Sequence, residues 1–215
     1  MSNNNVYKKS QNEKAVLKIE YDTDVISPRI ELDNLGTMVC WHRRYNVGDE
    51  HNHVDADSFF IYLLEEMDLT EETYHRISSQ GKSRNDLLGV LERQYVILPI
   101  YGYDHGNLMI QTTPYSCPWD SGQLGWIYVS KKDIRKEYGV KRVTTEIRER
   151  VLSVLRGEVA TYDQYLLGDI YGYIIEDNEG NHIDSCWGFY GSDPNINGMA
   201  AHIPEEYADL IKEVA

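Results

Sequence analysis

Apolar residues recur at two different spacings along the 215-residue chain, and these spacings predict which segments are helices and which are strands. From residue 56 onward they return every three or four positions, which predicts an amphipathic helix. The residues on its apolar side are Ala56, Phe59, Phe60, Leu63, Leu64 and Met67. A second helical pattern begins near residue 147 and predicts a helix that ends near Gly157, followed by a separate helical turn over residues 163–167.

Short apolar runs bounded by turn residues predict strands, several of which are joined as hairpins. The predicted strands cover residues 15–21, 35–42, 95–103, 108–113, 123–129, 170–176 and 183–190. Strands follow strands and helices come in pairs, so we predict an α+β fold with a mostly antiparallel sheet and helices packed on one face. Residues 1–14 are polar and are predicted to form a disordered tail before a single domain over residues 15–215.

The chain has 21 Lys and Arg against 35 Asp and Glu, which gives a formal net charge of −14. Proteins that bind nucleic acid use Lys and Arg to neutralise phosphates, so direct nucleic-acid binding is not expected. No apolar run reaches the roughly 18 residues that a membrane-spanning helix needs, and the polar start lacks the apolar centre of a signal peptide. Three scattered cysteines are too few for a disulfide framework, so we expect a cytoplasmic protein without a membrane partner.

Basic residues are unevenly spread, and two long stretches have none. Between Arg44 and Arg76 there are nine acids, and between Arg156 and Lys212 there are eleven. The second stretch is also rich in tyrosine, which protein interfaces favour because it buries a large area and keeps a polar tip. This pattern predicts an acidic, Tyr-rich binding surface, and chance clustering on a solvated surface is the simpler alternative. The candidate binding residues are Tyr162, Tyr171, Tyr173, Glu176, Asp177, Glu179 and Asp184.

The segment DNLGTMVCWHRRYNVGDEHNH, residues 33–53, combines an apolar run with many chemically active side chains. His42, His51, His53 and Asp49 are of the types that bind zinc or another divalent ion. Their spacing matches no established metal motif, so neither a metal nor another cofactor is expected. We expect Cys40 and Trp41 to lie in the core.

Arg43 and Arg44 follow the predicted buried strand directly, and Asp49 and Glu50 come one turn later. We expect an arginine and an acid of this group to form an internal ion pair. The functional alternative is an arginine pair that binds a phosphate or a carboxylate, which places Arg43 and Arg44 among the candidate binding residues.

A second unusual loop, SCPWDSG, contains Cys117. A cysteine nucleophile needs a histidine partner, and His42 and His105 are the candidates for it. A buried cysteine beside a turn is the alternative.

Three motifs carry a family resemblance: DNLGTMVCWHRRYNVGDEH, CPWDSGQLGWIYVSKKDIRKEYGV, and the pair TYDQYLLGDIYGYIIED and DSCWGFYG. Together they resemble a family of proteins from bacteriophages and prophages of Gram-positive bacteria, and the likeness extends from Tyr21 to Gly191. The resemblance implies a phage accessory protein in the host cytoplasm. No activity is attached to that family, so the resemblance transfers no functional residue.

The resemblance and the charge pattern together favour a non-enzymatic protein that binds and inhibits or redirects a host protein, with a component of an antiviral defence system as the expected partner. The sequence is also compatible with a homo-oligomer. The main alternative is a metal-dependent hydrolase or nucleotide-binding enzyme that uses residues 33–53. A further alternative is a protein that sequesters a signalling nucleotide with Arg43 and Arg44 and by stacking on Trp41 or Trp119.

Overall fold

The computed structural model describes residues 5–79 and 84–214 and shows an α+β fold with two antiparallel sheets of four strands each. The predicted fold class is therefore confirmed, although the strands form two sheets where one was expected. The single domain over residues 15–215 stays a prediction; the contacts group the chain into two compact units. Unit 1 combines Met1–Glu31 with Thr161–Ala215, and unit 2 is Leu32–Ala160. None of the helices within the described residues is long and apolar enough to cross a membrane.

The strands are β1 (Val6–Gln11), β2 (Ala15–Tyr21), β3 (Thr37–Cys40), β4 (Tyr95–His105), β5 (Asn107–Gln111), β6 (Ser121–Ser130), β7 (Ile170–Asp177) and β8 (His182–Tyr190). The helices are α1 (Pro28–Glu31), α2 (Ala56–Glu65), α3 (Glu71–Ser79), α4 (Arg84–Leu91), α5 (Lys131–Glu137), α6 (Thr145–Leu167), α7 (Met199–His202) and α8 (Ala208–Lys212), with a short 3-10 helix at Glu205–Tyr207.

Unit 1 contains a sheet in the order β1-β2-β7-β8, so strands from both ends of the chain lie side by side. Alternate residues of β2 and β7 point to one face, where they pack against α7 and α8. The core residues on this face of the sheet are Ala15, Leu17, Ile19, Tyr171, Tyr173, Ile175 and Phe189. The sequence placed residues 1–14 in a disordered tail, whereas Val6–Gln11 forms the edge strand β1; residues 1–4 lie outside the described residues.

The sequence did not predict strand β1, because the strand has few apolar residues and its contacts are with residues distant in sequence. Its anchors are polar: Lys8 Nζ donates to the carbonyl of Val214 at 2.6 Å, and Ser10 Oγ donates to the carbonyl of Leu210 at 2.7 Å. Bonds of this kind leave no periodic hydrophobic signal in the sequence.

Unit 2 contains a sheet in the order β3-β6-β4-β5. Helices α2, α3 and α4 cover one face of it and bury Phe59, Phe60, Leu63, Leu64, Ile77, Leu87 and Leu91 against residues of β3, β4 and β6. Residues of the opposite face, such as Met38 and Ile127, are also buried. Helix α2 begins at a capping box, in which Asp55 accepts a hydrogen bond from the Ser58 N–H and Ser58 Oγ accepts one from the Asp55 N–H.

Helix α6 is one continuous helix of 23 residues, so the prediction that it ends near Gly157 is wrong. Glycine in a helix costs about 1 kcal/mol relative to alanine, which favours a break on local grounds. The burial of Leu155 and Val159 on either side of it, with exposed fractions of 0% and 1%, outweighs that cost. Packing of the helix therefore overrides the local propensity of the glycine.

Candidate functional site

The tyrosines that the sequence placed on a binding surface are buried. Tyr162, Tyr171 and Tyr173 expose only 4%, 3% and 2% of their surface. The Tyr173 hydroxyl donates to Asp184 Oδ2 at 2.8 Å and to the carbonyl of His202 at 3.0 Å. Burial raises the pKa of both Tyr171 and Tyr173, and hydrogen bonds to carboxylates raise it further. Tyr171 and Tyr173 belong to the core of unit 1 and Tyr162 is also buried, which corrects the expected Tyr-rich surface.

The acids of the β7–β8 hairpin also make contacts within unit 1. Glu176 forms an ion pair with Lys18 at 2.6 Å. Asp177 accepts hydrogen bonds from the side chain and N–H of Asn181 and from the N–H of Glu179, and these bonds hold its pKa below the usual range. Of these turn acids, Glu179 is exposed, while Glu176 and Asp177 are half-buried. Glu176 and Asp177 therefore stabilise the hairpin itself. Glu179 is the acid whose side chain is exposed enough to contact a partner.

The loop after β3 places His42 and Arg44 against Asp104, near the end of β4. Arg44 donates a hydrogen bond to Asp104 Oδ2, and His42 Nε2 lies 3.5 Å from the same oxygen. His42 Nδ1 accepts the N–H groups of Arg44 and Tyr45 at 3.3 and 3.2 Å, which leaves the proton on Nε2, facing the carboxylate. The hydrogen bond from Arg44 holds the pKa of Asp104 below its ordinary value.

Asp104 replaces the partner that the sequence predicted for the arginines. Asp49, the expected partner, instead accepts the Met38 N–H at 2.7 Å and donates its own N–H to the Met38 carbonyl at 2.8 Å. It therefore extends the hydrogen bonding at the edge of β3, while Arg44 bonds to Asp104 across 60 residues of sequence. Arg43 is exposed.

The histidine candidates for a metal site point to different partners. His51 Nε2 lies 2.9 Å from the carbonyl of Cys40, and its ring packs edge-on to Trp41. His53 lies between Phe59 and Tyr62, and its pKa is lowered by burial and by the neighbouring His51. No three His, Cys, Asp or Glu side chains lie together as metal ligands within residues 5–79 and 84–214.

Cys40 is buried, as expected, and Trp41 is half-buried. The indole N–H of Trp41 donates to the carbonyl of His53 at 2.9 Å. This bond ties the end of the loop back to the strand from which it leaves, so the segment of residues 41–53 is held at both ends.

The loop that contains Cys117 is held by Asp120. Asp120 Oδ2 lies 3.3 Å from His105 Nδ1 and 3.9 Å from Cys117 Sγ, so the carboxylate stands between the histidine and the thiol. A cysteine nucleophile requires the base beside the thiol and the carboxylate behind the base. The order is the reverse here, so the arrangement does not match that of an activated cysteine.

The two unusual loops of the sequence therefore meet at the end of β4. Asp104 bonds to the first loop through its side chain, and its N–H donates to the carbonyl of Asp120 in the second loop at 2.8 Å. The sequence predicts only a hairpin turn over residues 104–107, and no local pattern marks Asp104 or Asp120 as the residues that join the two loops. We call the resulting region of unit 2 the β4-end surface; it consists of His42, Arg44, Tyr45, Asp104, His105, Cys117, Trp119 and Asp120.

The β4-end surface exposes side chains on a well-braced base. Trp119 is 91% exposed and Tyr45 is 44% exposed. Tyr45 stacks on His42, with ring centroids 5.0 Å apart and planes 8° apart, and the Arg44 guanidinium lies 5.4 Å from the centroid of the Tyr45 ring. The exposed Tyr45 ring is thus held by two residues, His42 and Arg44, that hydrogen bonds fix in turn.

Replacing Arg44 by alanine is expected to lower stability at neutral pH and to have a smaller effect near pH 3. Because Arg44 depresses the pKa of Asp104 below 3.8, the ionised carboxylate stabilises the fold above that pH, and this contribution is lost as pH falls through the lower, folded-state pKa. Urea unfolding of the variant and the wild type at both pH values measures the difference. Arg43→Ala is the control, and an equal loss in the two variants would show that the Arg44–Asp104 bond is not the cause.

Comparison with protein-family models, with curated proteins and with solved structures found no match, so the candidate site rests on its geometry alone.

Proposed function

We propose that this chain is a non-enzymatic phage protein that binds a host protein through the β4-end surface and inhibits or redirects it, a component of an antiviral defence system being the natural target. The observation that carries the proposal is the exposure of Trp119 and Tyr45 on two loops that Asp104 joins, through its bond to Arg44 in one loop and to the Asp120 carbonyl in the other. The phage origin rests on the motif resemblance described above. A phage origin also gives the expected location of the protein, which is the cytoplasm of an infected bacterium.

The residue types of this surface support protein binding. Trp, Tyr and Arg are the residues most enriched among those that dominate the binding energy of protein interfaces. Tyr45 and Arg44 are already held by His42 and Asp104, so ordering them on binding costs less conformational entropy than ordering free side chains. An exposed tryptophan on such a base gains a large apolar contact area when a partner covers it.

The net charge of −14 favours a partner with a basic surface. Opposite net charges speed the encounter of two proteins, and the effect weakens as salt shortens the screening length. Among the hairpin acids first considered, Glu179 is the suitable site for a charge-reversal test, since Glu176 and Asp177 support the fold.

Replacing Trp119 by alanine is expected to weaken binding to the host protein by about 30-fold to 1,000-fold, the range that a loss of ~2–4 kcal/mol at a dominant interface residue produces. The host protein is first captured from a lysate of a Gram-positive host with the full chain as bait, and is then purified. Its affinity for the wild type and the variants is measured by titration calorimetry. Ile196→Ala, in unit 1, is the matched control because Ile196 is also highly exposed, at 84%.

Unchanged affinity in Trp119→Ala and in Arg44→Ala would overturn the assignment of the β4-end surface. Equal loss in the Ile196→Ala control would point to a second surface instead. Capture of no host protein by the wild type would count against the binding function as a whole.

A further inference from the structure

A polar pocket of about 510 Å³ opens in unit 2, away from the residues of the β4-end surface. Its walls come from α2, from the start of β4, from the end of β6 and from the start of α5. Small-molecule sites have volumes of roughly 300–1,000 Å³ and combine ring surfaces with a few convergent polar groups. The residues that matter most for its chemistry are Tyr62, Tyr95, Tyr128, Glu66 and Asp133.

Strand pairing explains why tyrosines meet in this pocket. Tyr128 of β6 lies opposite Ile97 of β4, and Tyr95 is two residues before Ile97, so the two tyrosines are diagonal neighbours on one face of the sheet. Their rings are edge-to-face, with centroids 5.9 Å apart. Tyr62 joins them from α2, whose Phe59 packs against Tyr128 at 5.2 Å.

Two carboxylates, Glu66 and Asp133, line the pocket together with these tyrosines. Burial raises the pKa of Tyr95 to about 12, and Glu66, Tyr62 and Asp133 raise it as well. Burial likewise raises the pKa of Tyr128 to about 12. Both phenols are therefore neutral at physiological pH.

The pocket also has two basic residues in its lining, Lys132 and Arg135. Lys132 is exposed, so its ammonium group can stay in solvent while its stem lines the wall. The charged residues of the lining that act on the Tyr95 hydroxyl are Glu66 and Asp133, so the part of the pocket beside Tyr95 is suited to positive charge.

From this arrangement we propose that the tyrosine-lined pocket binds a small organic cation, an alkyl ammonium or guanidinium compound. Ring faces attract such cations through their quadrupoles, phenol oxygens accept their N–H groups, and the carboxylate of Glu66 adds a charge-assisted hydrogen bond. This site is separate from the β4-end surface and does not depend on the function proposed for it.

Agmatine, which carries a guanidinium and an ammonium group on a short chain, is the probe that tests this site. Titration calorimetry on the full chain should show 1:1 binding of agmatine. Glu66→Gln keeps the shape of the side chain and removes its charge, and should weaken binding about tenfold or more, as the loss of a charge-assisted hydrogen bond predicts. Tyr95→Phe, which removes only the hydroxyl, should also weaken binding.

The matched control is Glu65→Gln, since Glu65 directly precedes Glu66, is also exposed and is not among the residues that line the pocket. Equal loss in Glu65→Gln and Glu66→Gln would show that agmatine binds only through the general negative charge and would overturn the proposal. Binding of inorganic phosphate in place of agmatine would overturn it as well, by assigning the pocket to anions through Lys132 and Arg135. Thermal unfolding of each variant verifies that it remains folded before titration.

Discussion

Truncating Phe59 to alanine is expected to lower the free energy of unfolding by about 3–5 kcal/mol, the usual loss for a large aromatic residue in a core. Phe59 is 0% exposed and is central to the packing of α2 on the sheet of unit 2. Its ring lies 5.4 Å from that of Phe60, 6.1 Å from that of Trp126 and 5.2 Å from that of Tyr128. Alanine would leave a cavity among rings that cannot collapse to fill it.

Urea denaturation followed by circular dichroism measures this loss. Phe59→Leu is the control, because it retains most of the apolar volume and should cost much less than the truncation. Since natural domains are stable by only about 5–15 kcal/mol, the alanine variant should be close to unfolding at 37 °C. A loss below about 1 kcal/mol would show that this aromatic cluster is not the core of unit 2.

Replacing Gly125 by alanine should destabilise unit 2 by about 1–3 kcal/mol or more, the range for overpacking a well-packed site. Gly125 lies in the middle of the sheet, paired with Cys40 on β3 and Ile100 on β4. A Cβ atom here would lie against the Val39 carbonyl oxygen and 2.7 Å from the Cα of Cys40. These neighbours are backbone atoms, so β3 and β6 would have to separate.

Gly122→Ala is a closely matched control for that substitution. Gly122 is in the same strand, and a Cβ atom there would meet no atom within 4 Å. Thermal unfolding should therefore separate the two variants clearly. Equal stability of the two variants would contradict the close approach of β3 to β6 at Gly125.

The sequence predicted best those elements whose signals are local. The spacing of apolar residues located α2, and the turn at Asn178-Glu179-Gly180 located the β7–β8 hairpin. Ser130 was also predicted as a helix cap, and its Oγ accepts the Asp133 N–H at 3.0 Å. Periodicity and capping depend on neighbours in sequence, so a single chain is enough to reveal them.

The site was harder to predict because its contacts are distant in sequence. The bond between Arg44 and Asp104 joins two loops that no local pattern connects. The prediction from composition was also wrong for two tyrosines. A stretch rich in tyrosine and acids predicted a binding surface, yet Tyr171 and Tyr173 face the core. Alternation along β7 showed that the two share a face, but only the position of α7 and α8 decides that this face is the buried one.

The discontinuous build of unit 1 has a consequence for biosynthesis. Strand β2 pairs with β7, its neighbour in the sheet, from Ala15↔Asp177 to Tyr21↔Tyr171, so its partner leaves the ribosome some 150 residues after it. At ~5–20 residues per second this is a delay of roughly eight to thirty seconds. During that time all of unit 2 is synthesised, and the edge of β2 that pairs with β7 has no partner strand from this sheet. An unpaired strand edge is a template for pairing with other chains, and lysines such as Lys8, Lys9 and Lys18 of this hairpin are the kind of residue that disfavours such pairing.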